Sequence, residues 1–242
     1  MASPIEQFKI ERLIPIKLGS VDISYTNSAL WMTIAVVVVT LFLVLGTRQR
    51  ALVPGRWQSM AEMSYEFVAN LLQEQAGNAG RVFFPFIFTL FMFILAGNLL
   101  GLIPYAFTFT SHIVVTFGMA IVVFIGVTVV GFIKHGVHFL AFFVPKGVPA
   151  AMLVLIIPIE ILSYLTRPVS LAIRLFANMM AGHTMLKVFS GFVVALGVLG
   201  GWLPLAVNVA LTGFEVLVAF LQAYVFAILT CIYLNDALHM EH

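Results

Sequence analysis

The sequence predicts an all-α membrane protein with five transmembrane crossings, one amphipathic surface helix, and a C-terminal pair of long tilted helices folded into a hairpin. Three observations lead there. Of 242 residues, 62% are hydrophobic and 9% charged, whereas soluble domains carry about 25% charged residues. Apolar runs long enough to span a bilayer, which takes about 20 residues, recur along the chain. Between Val82 and Ile133 there is no Asp, Glu, Lys or Arg at all.

The same composition excludes other classes. The whole chain, 1–242, reads as a single membrane domain with short loops and no sizeable soluble part. A net charge of +2 without a Lys/Arg cluster argues against a nucleic-acid partner. The single cysteine, Cys231, cannot form an internal disulfide and reads as a small buried hydrophobe. Residues 1–27 carry Glu6, Lys9, Glu11, Arg12 and Lys17 but no apolar core, so they are not a secretory signal peptide. No cofactor and no metal are expected. ATP chemistry is not expected either, because no Gly-x-x-x-x-Gly-Lys-Ser/Thr loop occurs.

The first span, 28–46, is an unbroken apolar run ending at Thr47-Arg48-Gln49-Arg50, which the positive-inside rule places in the cytoplasm. Over 57–75, Trp57, Met60, Ala61, Ser64, Phe67, Val68, Leu71 and Leu72 recur at helical spacing. Gln58, Glu62, Glu66, Asn70, Gln73 and Glu74 take the opposite face. That pattern reads as a helix lying on the membrane surface; the lesser alternative, a helix packed on a neighbouring subunit, makes the same pattern. The uncharged stretch that follows is too long for one crossing. Gly101, Pro104, Thr108, Thr110 and Ser111-His112 mark its turn, giving spans 83–103 and 113–133. Lys134, His135 and Lys146 return the chain to the basic side. Two long apolar segments remain, 148–199 and 203–234, separated by Gly200-Gly201-Trp202. Pro149, Pro158 and Pro168 predict kinks in the first, and helices longer than the hydrocarbon thickness must tilt or bend. Counting crossings puts the N-terminus outside and the C-terminus in the cytoplasm, although Lys9, Arg12 and Lys17 oppose this and are offset by Glu6, Glu11 and Asp22.

The hairpin holds Glu160, Arg167, Arg174, His183, Lys187 and Glu215, although an ionisable side chain at the bilayer centre costs about 2.5–3.5 kcal/mol on insertion scales. Such groups mark an ion or proton route. Arg167 and Lys187 are long enough to snorkel to the interface instead. Arg174 lies too deep for that. Its guanidinium keeps its proton at any accessible pH, so it can hold a carboxylate but cannot relay a proton. The structural alternative is a buried salt bridge from Arg174 to Glu215. Helix rise places Glu160 ~21 Å from Arg174 on the cytoplasmic side and His183 ~13 Å toward the outside. Glu215 and Gln222, seven residues apart, share one face of the returning helix. His183 with Glu215 is a candidate outer proton site, since His titrates near neutral pH and a carboxylate tunes it; a lone membrane His can also be merely hydrogen-bonded in a core.

The stretch Thr166-Arg167-Pro168-Val169-Ser170-Leu171-Ala172-Ile173-Arg174-Leu175-Phe176-Ala177-Asn178-Met179-Met180-Ala181-Gly182-His183 resembles the signature helix of subunit a of F-type rotary ATP synthases. The run from Phe214 through Glu215 and Gln222 to Phe226 does likewise. The resemblance extends more loosely over about three quarters of the chain through Asn98, Pro104 and Glu160, and is weakest in the first 50 residues. It implies a non-catalytic stator subunit that grips a rotating c-ring, with peripheral-stalk b-type subunits and the rest of the synthase as partners. By that resemblance Arg174 faces the rotor carboxylate and blocks a leak, with Gln222 beside it. His183, Glu215, Asn178 and Asn208 would line the outer half-channel and Glu160 the inner one. In some bacterial members the acid and the histidine occupy the reverse positions. The order here is mitochondrial-like, which implies an alphaproteobacterial inner membrane or a mitochondrial one, and protons rather than sodium. The competing readings are a transporter or channel acting alone, which would need a substrate pocket and usually paired repeats, and a scaffold whose charges only neutralise one another.

Overall fold

The structure, a computed structural model, describes residues 8–18, 21–22, 24–48, 53–103, 106–144 and 150–239. Glu6, Arg50, Pro104, Lys146 and Pro149, named above, lie outside the described residues, as do positions 148–149 at the start of the fifth expected span.

Among the described residues before the first span there are four short strands, which the sequence reading did not anticipate. β1 (Arg12–Ile14) pairs antiparallel with β4 (Tyr25–Thr26), and β2 (Lys17–Leu18) with β3 (Val21–Asp22), one hairpin nested in the other. Asn27 ties this arm to the membrane part: its side chain accepts from the Glu11 amide at 3.2 Å and donates to the Lys9 carbonyl at 3.1 Å. The Thr26 hydroxyl accepts from the Ala29 amide at 3.3 Å, capping the helix start.

Among the described residues six α-helices follow: α1 (Asn27–Thr47), α2 (Arg56–Gly80), α3 (Phe84–Gly101), α4 (Ile113–His135), α5 (Ala150–Gly200) and α6 (Trp202–Leu238). Each covers an apolar or amphipathic run, with α2 continuing past 75 to Gly80 and α6 past 234 to Leu238. α2 turns into α3 through a single 3-10 turn at Arg81–Phe83, with Pro85 in the first helical turn, where its missing amide costs nothing. The polar side of α2 (Glu62, Glu66, Asn70, Gln73, Glu74) is exposed. Its Ala61, Val68, Leu71, Leu72 and Ala76 are buried, and the helix packs on α6, α1 and α3 of the same chain. Much of the stripe assigned to lipid or a neighbour is therefore covered internally, while Trp57 and Met60 stay exposed.

α6 is the central helix. It packs on α2, α3, α4 and α5, and 39% of its most apolar window is buried, against 11% for α5. The core between them holds Val68, Leu72, Ile94, Val123, Leu175 and Phe226. α5 packs mainly on α4 and α6 and leaves its remaining side open. Its 51 residues would extend roughly 77 Å at 1.5 Å per residue, far beyond a hydrocarbon core of about 30 Å, so the hairpin cannot stand upright in a membrane.

Pro158 and Pro168 both lie inside α5, and α5 also has a break that the sequence reading did not anticipate, at Gly197, with φ 59°. A proline forfeits one hydrogen bond and bends a helix, but only a residue without a Cβ enters this backbone region cheaply.

Candidate functional site

The hairpin sets its polar groups in antiparallel register. Arg167 Nη1 donates to Asp236 Oδ2 at 2.9 Å, Asn178 Nδ2 to Gln222 Oε1 at 2.6 Å, and Asn208 Nδ2 to Ser190 Oγ at 2.9 Å. Residue numbers rise along α5 as their partners' fall along α6, so these contacts are rungs of one ladder. Their ends are distinguished by other elements. Lys134, at the end of α4, donates to the Leu238 carbonyl at 2.8 Å beside the Arg167 rung, while the loop joining α3 to α4 meets α5 at His183.

Arg174 lies between these ends and stands apart from the ladder. It is exposed on α5, and no ion pair or hydrogen bond links it to another described residue. The salt bridge to Glu215 considered above is not formed. Arg174 lines an open groove of about 480 Å³ between α5 and α6, together with Asn178, Glu215 and Gln222; the other lining residues, such as Met185 and Leu221, are apolar. A fixed positive charge therefore opens onto an apolar cleft with only neutral amides and one carboxyl group near it.

Glu215 is 6% exposed, and its Oε2 has no described hydrogen-bond partner. Its Oε1 lies against the Gly182 Cα, in space that a Cβ at 182 would occupy. Gly182 thus admits the carboxyl group between the helices. His183 follows directly on α5, is 8% exposed, and pairs through Nε2 with the Thr108 hydroxyl at 3.1 Å. The direct pairing of His183 with Glu215 is not made; the two are neighbours across Gly182.

The remaining candidates lie farther out. Glu160 is half-buried on α5, 14 residues before Arg174, and joins none of these rungs. Asn208 sits near the turn between α5 and α6, opposite Ser190. Lys187, one turn past His183, is exposed. Arg167 pairs across the hairpin. Besides Asp236 it contacts the faces of Tyr164 and Tyr233, with its guanidinium carbon 5.4 and 4.9 Å from the ring centroids. Among the described residues, no three His, Cys, Asp or Glu side chains gather as metal ligands would.

Sequence reasoning missed Thr108, Ser190, Tyr233 and the Arg167–Asp236 pair. The pair was recoverable, since an antiparallel hairpin turning near 201 must bring those levels together. Thr108 was noted only as a turn residue, and loops carry no periodicity from which to read a partner.

A family model described as ATP synthase A chain matches residues 29–235. The ATP synthase subunit a of Mesorhizobium japonicum is 62% identical over 245 residues, covering 99% of this chain and 97% of the relative. Those of Pelagibacter ubique (58% over 241 residues, 99% of each chain) and Paramagnetospirillum magneticum (59% over 247 residues, 100% of each) are similar throughout.

Proposed function

Because this chain belongs to the ATP synthase A chain family, as a multi-pass, non-catalytic membrane component of the synthase, we propose that it is the stator against which a c-ring turns, with Arg174 at the point of proton exchange. One observation carries the reading: a permanently charged side chain, deep in a spanning helix, is exposed and has no described partner. Leaving such a charge in lipid costs several kcal/mol, so its counter-charge belongs to another molecule. A carboxylate presented by an apolar rotor helix fits the groove.

The mechanism follows from electrostatics. A rotor carboxyl crosses lipid only when neutral. Arriving at the groove it meets Arg174, releases its proton toward one side, passes as a carboxylate, and takes a proton from the other side. Arg174 cannot deprotonate, so it accepts no proton from either side and blocks a direct leak. His183, Glu215, Asn178 and Asn208 serve the outer half-channel, Glu160 the inner one, and Gln222 lies beside the arginine. Each proton crossing supplies about 2.3 kcal/mol per 100 mV, which biases rotation. Peripheral-stalk b-type subunits hold the chain still. The N-terminus lies outside and the C-terminus in the cytoplasm of a bacterial inner membrane, an orientation supported by Arg48, Arg56, Arg81 and Lys134 gathering at one end of the spans.

In vesicles containing the whole complex, Arg174→Ala is expected to abolish ATP-driven proton pumping while assembly persists. Arg174→Lys should fail too, because a lysine can lose its proton when buried. Retained pumping in either variant would refute the role, and isolation of the chain without a ring of small hairpin proteins would favour a transporter.

A further inference from the structure

Resting on the reading that His183 lies on the proton route, we propose that Thr108 is a positioning residue for that step: its hydroxyl engages Nε2 of the imidazole and leaves Nδ1 as the nitrogen that takes and gives the proton. The pair is enclosed, Thr108 being 5% and His183 8% exposed, with Oγ1 and Nε2 3.1 Å apart. A threonine hydroxyl has one proton to give and two lone pairs. Here Oγ1 also lies 3.4 Å from the Gly101 carbonyl at the end of α3, to which it donates. Its lone pair is then directed at a protonated Nε2. In neutral His183 the Nε2 carries the hydrogen and Nδ1 a lone pair; in the cation both carry hydrogen. Thr108 accepts the same hydrogen in both states, and more strongly from the cation, so a proton arrives at and leaves Nδ1 without rearrangement on the threonine side.

Thr108 is itself pinned. Its carbonyl accepts from the Ser111 amide at 3.1 Å and from the Ser111 hydroxyl at 2.6 Å. Its close approach to α3 requires glycine at 101, since a Cβ there would fall 2.7 Å from Oγ1 and 2.8 Å from Cγ2. Among the described residues, the charged or titratable groups around His183 are few. Lys187 lies one turn along α5, Glu215 lies across Gly182 on α6, and the loop adds His112, stacked on Phe107 with ring centroids 5.0 Å apart. α3 and the loop contribute no Asp, Glu, Lys or Arg. Thr108 is the hydrogen-bonding contact that fixes the imidazole's orientation.

The test is ATP-driven proton pumping by the whole synthase in vesicles, measured against the pH of the compartment that the outer half-channel faces. Removing an acceptor from the imidazolium makes His183 harder to protonate. Thr108→Val should therefore shift the acid limb of the profile toward lower pH by about one unit, and Thr108→Ser should restore the native profile. If Thr108→Val does not assemble, Thr108→Ala provides the hydroxyl-free variant, with the same shift expected. A native profile in the hydroxyl-free variants, alongside an altered one in His183→Ala, overturns the proposal and leaves the path intact. Unchanged pumping in His183→Ala instead removes His183 from the path, and this proposal with it. The shift should persist in a His112→Asn background; its disappearance there would assign the effect to His112 and overturn the proposal.

Discussion

At the scale of single residues, Gly182 and Arg174 are opposites. One matters for the space it leaves, the other for a charge with nothing described to answer it. Glu215 reaches between the helices because residue 182 has no Cβ, so Gly182→Ala should push the carboxyl group out of place. Overpacking of this kind costs about 1–3 kcal/mol, and pumping in vesicles should fall about tenfold while the complex still assembles. Shortening the acid in Gly182→Ala, Glu215→Asp should recover part of the rate; no recovery, or no initial loss, would mean that the contact is incidental. The sequence allowed Arg174, His183 and Glu215 to be singled out because ionisable groups in apolar helices are conspicuous. It did not disclose which of them touch. The contacts run instead to Thr108 and Gly182, one in an aperiodic loop and the other without a polar atom in its side chain.

At the scale of elements, the hairpin depends on its rungs more than on its prolines. Arg167–Asp236 closes the end of the ladder near Lys134, with the two side chains 23% and 33% exposed. Its worth falls between that of a surface pair, up to about 1 kcal/mol, and the roughly 3–5 kcal/mol lost on breaking a buried one. Asp236→Asn should lower the thermal stability of the detergent-solubilised complex and slow coupled pumping. The exchange Arg167→Asp with Asp236→Arg should restore both more fully than either single change, and equal damage in the exchanged and single variants would show that the pair does not set the register. Helix extents were legible because an apolar run must end where its burial ends. The break at Gly197 was not, since a glycine inside an apolar run carries no signal of the backbone region it will adopt. The N-terminal strands escaped notice because pieces of two or three residues are too short for an alternation to register.

At the scale of the whole molecule, α2, α3, α4 and α5 pack around α6, and α1 and α5 are the least buried of the long apolar helices. Ala177 and Ala181 on the open side of α5 flank the Arg174 groove and are exposed, whereas Phe226 on α6 is buried. In a Cys231→Ser background, cysteines at 177 or 181 are expected to cross-link to a cysteine beside the rotor carboxylate, and one at 226 is not. Cross-linking at 226 alone would put the rotor on a different face. The native thiol must be removed first, although it is buried against the core.

The lopsided packing also decides where mechanical load goes. A tangential push on the open side of α5 has two main routes inward, through α4 and through α6, and α6 hands it on to α2 and α3. In the stator role proposed above, the central helix would be the strut. Compliance during a power stroke should be concentrated in the outer helix, whose glycine joint at 197 lies just before the hairpin turn.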